Sequence, residues 1–334
     1  MLVGVTKAGK GCGGLPGLYT SLQAYLPWVR STVPRLIMLG GLPQASVLLP
    51  WDSECRMEDL PEPRGMHTLD VVQGNLLACG GKTTPLSCAR WHQGRWHNMT
   101  LATRRWLQTS WLTPSGELLL VGGSGNASTT EVVWPLDQAG WSFHLAHPTS
   151  SSCSVAVGDT MVLTGGWKTA HLVTRYTREG KSEELAELLE GRWSHVCGAL
   201  ASLDSTVLIV AGGATSEGSY LASTELFTLG ISTSWRRAAS LPGPRYAMTS
   251  VVLRRELILL GGMRHDGEQY VVTKDILSYD PGWRLEYGER PEWLEDEESP
   301  EWVVIGVLGA RKTWSTAVVV GVDAGLDICS QTRT

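Results

Sequence analysis

The chain has 334 residues, of which 43% are hydrophobic and 18% charged, a composition that excludes an intrinsically disordered protein. Its net charge of −5 provides no basic surface, so we expect neither a nucleic acid nor an anionic membrane as partner. The sequence has no apolar run of about 18 residues, the length of a membrane-spanning helix. The 38 glycines and 16 prolines require many turns, which is typical of an all-β protein.

The first 33 residues carry no predicted element and stay unassigned. Lys7 and Lys10 are followed by glycines rather than by an apolar run, so residues 1–14 do not match a secretory signal. This favours a reducing compartment such as the cytoplasm. Asn98 and Asn126 each begin an Asn-X-Ser/Thr sequon, however, and such sites are glycosylated only in a secreted chain. The sequence leaves both compartments open.

Seven cysteines occur without CxxC or Cys/His ligand spacing, so no structural zinc site is expected. Cys79, Cys153 and Cys197 lie inside strand-like apolar runs, where we predict small buried hydrophobic side chains rather than reactive thiols. The odd number of cysteines also favours a reducing compartment.

Short apolar runs end in Gly-Gly six times at spacings of 40 to 49 residues. These runs occupy residues 36–41, 76–81, 118–123, 161–166, 208–213 and 257–262. A unit of this length suits four short strands with three turns. The runs are apolar throughout rather than alternating, which indicates strands that are covered on both faces.

Other features recur around the glycines. An arginine precedes most copies, at Arg64, Arg104 or Arg105, Arg192 and Arg245, and residues 149–152 take its place in the fourth copy. A tryptophan opens the last strand of four units, at Trp96, Trp141, Trp235 and Trp283, where we predict that it wedges between neighbouring sheets. The fourth unit has no such tryptophan, and residues 183–189 also suit a short helix.

This order of parts resembles the kelch repeat. The resemblance implies an all-β, six-bladed, kelch-type β-propeller over residues 34–325, followed by a tail at 326–334. The first Gly-Gly run has no arginine strand before it, and the last arginine strand, ending near Val320, has no Gly-Gly run after it. The C-terminal strand is therefore expected to complete the N-terminal blade, which would remove the open edge of the ring.

In kelch propellers the loops that lead into the arginine strands open on one face around the central channel. The resemblance therefore implies a ligand-binding set on that face, in which arginines bind carboxylates and aromatic rings stack on flat groups. The set comprises Arg64, His67, Arg105, Trp106, Arg192, His195, Arg245, Tyr246, Arg311 and Trp314. An alternative role of equal weight is that each arginine bonds loop carbonyl groups of a neighbouring blade.

We interpret the chain as a binding or scaffold protein that recognises a protein, peptide or small ligand on this face. The alternative is a carbohydrate-active kelch enzyme similar to a sugar epimerase, or a secreted glycan-handling protein. The paired Tyr and His copper ligands of galactose oxidase, the sialidase SxDxGxxW box and the ExxxDxxxH run of iron-dependent specifier proteins are not found. No catalytic residue, metal ligand or cofactor is assigned.

Overall fold

The structure is a computed structural model that describes residues 4–8, 18–21, 35–41, 47–48, 58–125, 128–135, 142–201, 205–253, 255–265, 269–280, 301–308 and 315–320. Within these ranges the chain forms strands and loops only. No helix in this part of the chain is long and apolar enough to cross a membrane.

The strands follow one another in antiparallel sheets. Near the N-terminus lie β1 (Gly4–Ala8), β2 (Leu18–Ser21), β3 (Arg35–Gly40) and β4 (Val47–Leu48). The first blade holds β5 (Thr68–Val72), β6 (Asn75–Cys79), β7 (Ser87–His92) and β8 (Arg95–Thr100), and the second holds β9 (Thr109–Leu112), β10 (Leu118–Val121) and β11 (Thr130–Trp134). The third holds β12 (Cys153–Val157), β13 (Thr160–Thr164), β14 (Val173–Tyr176) and β15 (Ser182–Glu184).

The fourth blade holds β16 (Val196–Ala201), β17 (Thr206–Ala211), β18 (Thr224–Thr228) and β19 (Arg236–Ala238). The fifth holds β20 (Thr249–Leu253), β21 (Glu256–Leu260), β24 (Asp275–Asp280) and β25 (Glu301–Val307), with a hairpin of β22 (Met263–His265) and β23 (Tyr270–Val272) between β21 and β24. The last strand is β26 (Ser315–Val320).

The all-β propeller is confirmed, but the number of blades differs from the prediction. In the described part of the chain, five blades each take their strands from one stretch of sequence, rather than the six that were predicted. A further three-stranded sheet has the order β26-β3-β4, and Ser315 lies opposite Gly40 in its register. This sheet differs from the five blades because it draws its strands from both ends of the chain.

The hydrophobic core lies in layers between neighbouring blades. The second strand of each blade is sandwiched on both faces, and for that reason every residue of β6 and of β10 is buried. One layer joins Leu77 of the first blade to Leu118 and Leu120 of the second. The predicted apolar Gly-Gly strands thus form the middle of each interface.

The glycine pairs end these strands at points where the next blade approaches. Gly80 and Gly81 both have positive φ, and the Gly81 N–H donates to the Arg105 carbonyl oxygen over 3.0 Å. A Cβ atom on Gly80 would lie 2.7 Å from the same oxygen. Only glycine combines this backbone conformation with so close an approach, so the recurrence of the pair has a structural cause.

Two of the four predicted tryptophan wedges can be located. Trp235 is 3% exposed and packs with Leu188 of the third blade and Phe227 of its own blade. Trp96 is half-buried against the layer that contains Ile37 and Leu39 of β3. Trp141 and Trp283 lie outside the described residues.

The fourth predicted unit, which forms the third blade, does not contain the short helix that its sequence also allowed. Its residues 182–184 form β15, and the chain then continues as a loop. Leu188 in that loop is buried between the third and fourth blades, in the same layer as Trp235.

The predicted role of the cysteines was wrong. Cys79 forms a disulfide with Cys88 on the neighbouring strand, and Cys153 forms one with Cys197, which joins the innermost strands of two blades. The residues are largely buried, as small apolar side chains would be, but they are bonded. Sequence spacing alone did not reveal the pairs because both depend on the register of strands within and between blades.

Candidate functional site

Five short segments lead into the innermost strands of the five blades, and we call them the inner segments. They are residues 64–67, 105–108, 149–152, 192–195 and 245–248. The third residue of each has positive φ, namely Met66, Leu107, Ser151, Ser194 and Ala247. The N–H of each of the last four donates to the carbonyl oxygen of its counterpart in the preceding segment over 2.7 to 3.0 Å. The inner segments thus form a continuous hydrogen-bonded arc that links the blades.

The arginines that open four of these segments are buried. Arg64, Arg105 and Arg192 are 0% exposed, and Arg245 is 2% exposed. The Arg64 Nη1 donates to the carbonyl oxygens of Gly80 and Ser87 over 3.0 and 2.8 Å. Arg105 and Arg192 bond their own blades in the same way, through Gly122 and Gly212. The structure therefore uses these guanidinium groups internally, each clamping its own blade, and does not offer them to solvent.

Two of the arginines also pair with buried carboxylates. Arg105 Nε lies 3.2 Å from Glu131, and Arg192 bonds Glu225, with both side chains of that pair fully buried. Burial lowers the pKa of each arginine, and its partner carboxylate opposes that shift. Glu225 also accepts the N–H groups of Leu189 and Glu190. Each pair therefore ties a loop to a strand end.

The third blade lacks this arginine, as its sequence indicated. Thr149 takes the position, and its Oγ1 lies 2.8 Å from Thr169 Oγ1. Thr169 in turn donates to the Gly165 carbonyl oxygen over 2.9 Å. Two hydroxyl groups thus replace one guanidinium, at a smaller volume and without charge.

The third and fourth residues of the inner segments, with two residues of β26, line an open cavity of about 120 Å³. It is lined by Met66, His67, Leu107, Gln108, Ser151, Ser152, Ser194, His195, Ala247, Met248, Ser315 and Thr316. None of these side chains is an acid, a lysine or an arginine. The cavity is therefore polar without carrying a full charge.

His195 is one of the two histidines that line the cavity. Its Nε2 lies 2.9 Å from Thr164 Oγ1, and that hydroxyl donates to the Cys153 carbonyl oxygen. The two contacts hold the imidazole ring against β13, the second strand of the third blade. Burial and, second, the charge of Arg192 lower the pKa of His195 to about 3, so the ring is neutral at physiological pH. Its Nδ1 has no hydrogen-bond partner in the protein.

Two further polar atoms of the cavity residues lack a protein partner. Gln108 donates from Nε2 to the Cys79 carbonyl oxygen over 2.7 Å, whereas its Oε1 accepts nothing. The Ser194 hydroxyl is also without a partner. Gln108 is 7% exposed and Ser194 is 9% exposed. Both side chains are therefore buried at the edge of the cavity.

Beside the cavity lies a row of aromatic side chains that we call the aromatic platform. It consists of Trp167, Trp193, Tyr246, Tyr220 and Tyr270. Neighbouring ring centroids lie 5.5, 6.3, 4.7 and 5.8 Å apart along that order. Trp167 is 48% exposed and Tyr270 is 53% exposed. The platform is thus a connected apolar surface in contact with solvent.

The platform forms where loops beyond the Gly-Gly pairs meet the inner segments. Trp167 directly follows such a pair and makes a β-bridge with Ser150, and Trp193 makes one with Ala214. Tyr270 is carried by β23 of the fifth blade's hairpin. The Tyr220 and Tyr270 hydroxyl groups lie 2.6 Å apart, and this hydrogen bond raises the pKa of Tyr220.

The structure places the residues of the predicted site in different surroundings. His67 and His195 line the cavity, Tyr246 belongs to the platform, and Trp106 is half-buried in a β-bridge with Ser124. The four arginines named above lie beneath this surface. Arg311 and Trp314 lie outside the described residues. Asn98 is exposed on β8, whereas Asn126 lies outside the described residues.

Sequence reasoning missed Gln108 of the cavity and Trp167, Tyr220 and Tyr270 of the platform. A signal existed for Gln108, which occupies the same position in its inner segment as His67 and His195. Trp167 could have been found as an aromatic residue directly after a glycine pair. Tyr220 and Tyr270 lie in loops of different lengths, so no repeat position identifies them. Among the described residues no cluster of three metal-ligating side chains occurs.

Comparison with known proteins supports the fold. No protein-family profile and no curated protein matches the chain. A solved structure described as that of YjhT is similar, with a TM-score of 0.58 and 17% sequence identity, over 74% of this chain and 95% of that one. At this identity the likeness extends to the fold and not to function. The chain has the β-propeller fold.

Proposed function

We propose that the chain is a kelch-type, six-bladed binding propeller that recognises a protein, peptide or small ligand on the face formed by the aromatic platform and the cavity. The observation that carries this proposal is the platform itself. Five aromatic rings contact one another at a surface, although an ordinary fold would bury them. Tyr and Trp rings supply large contact areas at a small entropic cost, which is why they dominate binding surfaces.

Two contacts support six blades and a closed ring. β26 pairs with β3 over six residues, and it lies beside both β20 and β5. The Gly41 N–H donates to the Arg64 carbonyl oxygen over 2.8 Å, the same contact that Gly81 makes with Arg105. If the sheet of β26, β3 and β4 acts as the sixth blade, deletion of residues 314–320 will unfold the ring. A truncated chain with an unchanged melting temperature would contradict closure.

The binding proposal is tested by a pull-down with matched variants. Trp167→Ala and Tyr270→Ala remove exposed rings of the platform, and we expect both to lose most of the captured partner. Ile231→Ala is the control, because Ile231 is 71% exposed and lies in the β18–β19 turn, at the opposite end of the strands. All three variants should melt as the parent chain does. Equal capture by the platform variants and the control would refute the proposal.

A carbohydrate-active enzyme is the second candidate, favoured by two histidines that line one cavity. A general base that works near neutral pH needs a pKa in that range. His195, with a pKa of about 3, does not meet this requirement. Binding therefore accounts for more of the geometry. Turnover of any ligand that the platform variants fail to capture would reverse this preference.

We also propose that the chain folds in an oxidising compartment. Two disulfides support this, because such bonds form and persist mainly in secreted proteins. The exposed sequon at Asn98 agrees with it. The test is expression through a secretory route, followed by glycosidase treatment and alkylation without reductant. We expect a mass shift that Asn98→Gln reduces, and free thiols at Cys79, Cys88, Cys153 and Cys197 would contradict the proposal.

A further inference from the structure

We infer that the Cys153–Cys197 disulfide is a redox-sensitive clamp on the aromatic platform, and that a small dithiol opens it without unfolding the propeller. The inference rests on the proposed binding function, because it concerns the regulation of the same site. It follows from where the disulfide lies, from what else anchors the third blade there, and from the exposure of the bonded residues.

The disulfide joins the two blades whose tryptophans meet in the platform. Cys153 directly follows the inner segment of the third blade, and Cys197 comes two residues after the inner segment of the fourth. Trp167 makes a β-bridge with the first of these segments, and Trp193 belongs to the second. The two indole rings meet edge to face with centroids 5.5 Å apart. The covalent bond therefore holds together the two backbone segments on which this ring contact depends.

The inner segment of the third blade has weaker anchors than its counterparts. The other four segments begin with a buried arginine, as in Arg192, which donates to the Gly212 carbonyl oxygen over 2.8 Å. The third begins with Thr149, which offers a neutral hydroxyl group instead. Across the junction with the fourth blade, the Ser194 N–H donates to the Ser151 carbonyl oxygen over 2.7 Å. Neutral hydrogen bonds of this kind are weaker than those of a buried guanidinium, so the disulfide carries more of the load at this junction.

Of the two disulfides in the described part of the chain, this one is the more exposed. Cys79 and Cys88 are both 0% exposed, in the layer between the first and second blades. Cys197 is 7% exposed, and Cys153 is half-buried at the start of β12, a strand in which every residue is at least partly exposed. Ser152, the residue before Cys153, lines the open cavity. Thiol–disulfide exchange requires access to a sulfur atom, so we expect a small dithiol to reduce Cys153–Cys197 first.

The chemical step is thiol–disulfide exchange with that dithiol. One thiolate of the dithiol attacks a sulfur of the Cys153–Cys197 bond, which breaks as a mixed disulfide forms and the other cysteine leaves as a thiolate. The second sulfur of the dithiol then displaces the protein from the mixed disulfide. The protein gains two electrons and two protons as two cysteine thiols, and the dithiol becomes a cyclic disulfide. No hydrogen bond of the blades is broken in this step, so the ring is expected to stay folded.

The experiment is hydrogen–deuterium exchange of the full chain, measured by mass spectrometry before and after treatment with dithiothreitol. The reduced cysteines are alkylated and located by peptide mapping. At limiting dithiothreitol we expect alkylation at Cys153 and Cys197 before any other disulfide of the described chain opens. Amide exchange in residues 149–152 and 192–195 should then become about tenfold faster, because the two segments separate more often.

Residues 105–108 are the matched control within the same chain. The Leu107 N–H donates to the Met66 carbonyl oxygen over 2.9 Å, the same link between blades, and neither described disulfide crosses that junction. Exchange there should not change. Cys153→Ser combined with Cys197→Ser should reproduce the faster exchange without dithiothreitol, and dithiothreitol should add nothing in that variant.

Several outcomes would overturn the inference. Reduction of Cys79–Cys88 before the clamp would do so, as would unchanged exchange in both segments once the clamp is reduced. Equally faster exchange in residues 105–108 would mean that the dithiol unfolds the ring rather than opening a clamp. A partner whose capture is lost in Trp167→Ala should also be captured less after reduction, and undiminished capture would contradict the regulatory role.

The inference and the proposed function fail separately. If exchange is unchanged while Trp167→Ala still abolishes capture, the clamp is refuted and the binding function stands. If the platform variants capture every partner normally, the binding function is refuted, whereas the exchange data still decide whether the disulfide holds the two segments together.

Discussion

Arg192 and Trp193 are neighbours in one inner segment, yet they belong to different layers of the molecule. Arg192 is fully buried and bonds the Gly212 carbonyl oxygen and Glu225, whereas Trp193 lies in the aromatic platform. The backbone alternates between the two layers within two residues. The sequence motif of arginine followed by an aromatic residue therefore contributes a buried arginine that bonds its own blade and an aromatic ring at the surface. Variants that affect one layer without the other test this division.

The largest difference in the free energy of unfolding is expected between Arg192→Met and Trp193→Ala. The first leaves the buried Glu225 carboxylate without its cation and should lower the free energy of unfolding by about 3–5 kcal/mol in urea denaturation. The second should reduce ligand capture with a much smaller change in stability. Arg175→Met is the control for charge loss, since the Arg175–Glu183 pair is largely exposed and should contribute under about 1 kcal/mol. Equal destabilisation by Arg192→Met and Arg175→Met would remove the distinction.

The third blade allows a comparison between the two disulfides. It has Thr149 in place of the buried arginine, and its strand β12 is joined to β16 of the fourth blade by the Cys153–Cys197 disulfide. Closing a loop of 44 residues should contribute about 4 kcal/mol, against about 2.5 kcal/mol for the 9-residue Cys79–Cys88 loop. We therefore expect Cys153→Ser with Cys197→Ser to lower the melting temperature more than Cys79→Ser with Cys88→Ser. The reverse order, measured by differential scanning calorimetry, would contradict this account.

The buried layer should also make the fold sensitive to acid through His195. Its folded pKa of about 3 lies below the unfolded value of about 6.5, so the stability it confers is complete above pH 6.5 and is lost as the pH falls toward 3. Between pH 6.5 and 4.5 the loss should reach about 2–3 kcal/mol. His195→Gln should flatten the dependence of the unfolding free energy on pH in this window. An unchanged slope would show that other groups control acid unfolding.

The smallest expected effect concerns Asp70, which lies between the first two blades and accepts a hydrogen bond from Ser110 over 2.8 Å. Burial raises its pKa to about 6, above the unfolded value of about 3.9. The folded state therefore binds the proton more tightly, and the ionised form costs stability that grows between about pH 4 and 6. Asp70→Asn should stabilise the chain by about 2 kcal/mol at pH 7.5 and have little effect at pH 3.5. Destabilisation at pH 7.5 would mean that the carboxylate has a favourable partner there.

The sequence predicted the scaffold well because its constraints are local. A glycine pair is needed wherever a strand ends against the next blade, and the apolar strand before it is needed wherever both faces are covered. The role of Arg64 and Arg245 stayed open in the sequence, which allowed either ligand binding or bonds to loop carbonyl groups. Only the fold shows that Arg64 bonds carbonyl groups of its own blade and that Arg245 bonds the Asp275 carboxylate.

The six Gly-Gly runs by themselves indicated an all-β repeat, and their resemblance to the kelch repeat implied a propeller. Tertiary structure alone decided which residues meet. His195 and Gln108 come from different blades, as do Trp167 and Tyr270, and both disulfides depend on strand register. The physical reason is that a propeller brings positions more than 40 residues apart around one axis. The identity of each such neighbour is set by the blades together rather than by any segment alone.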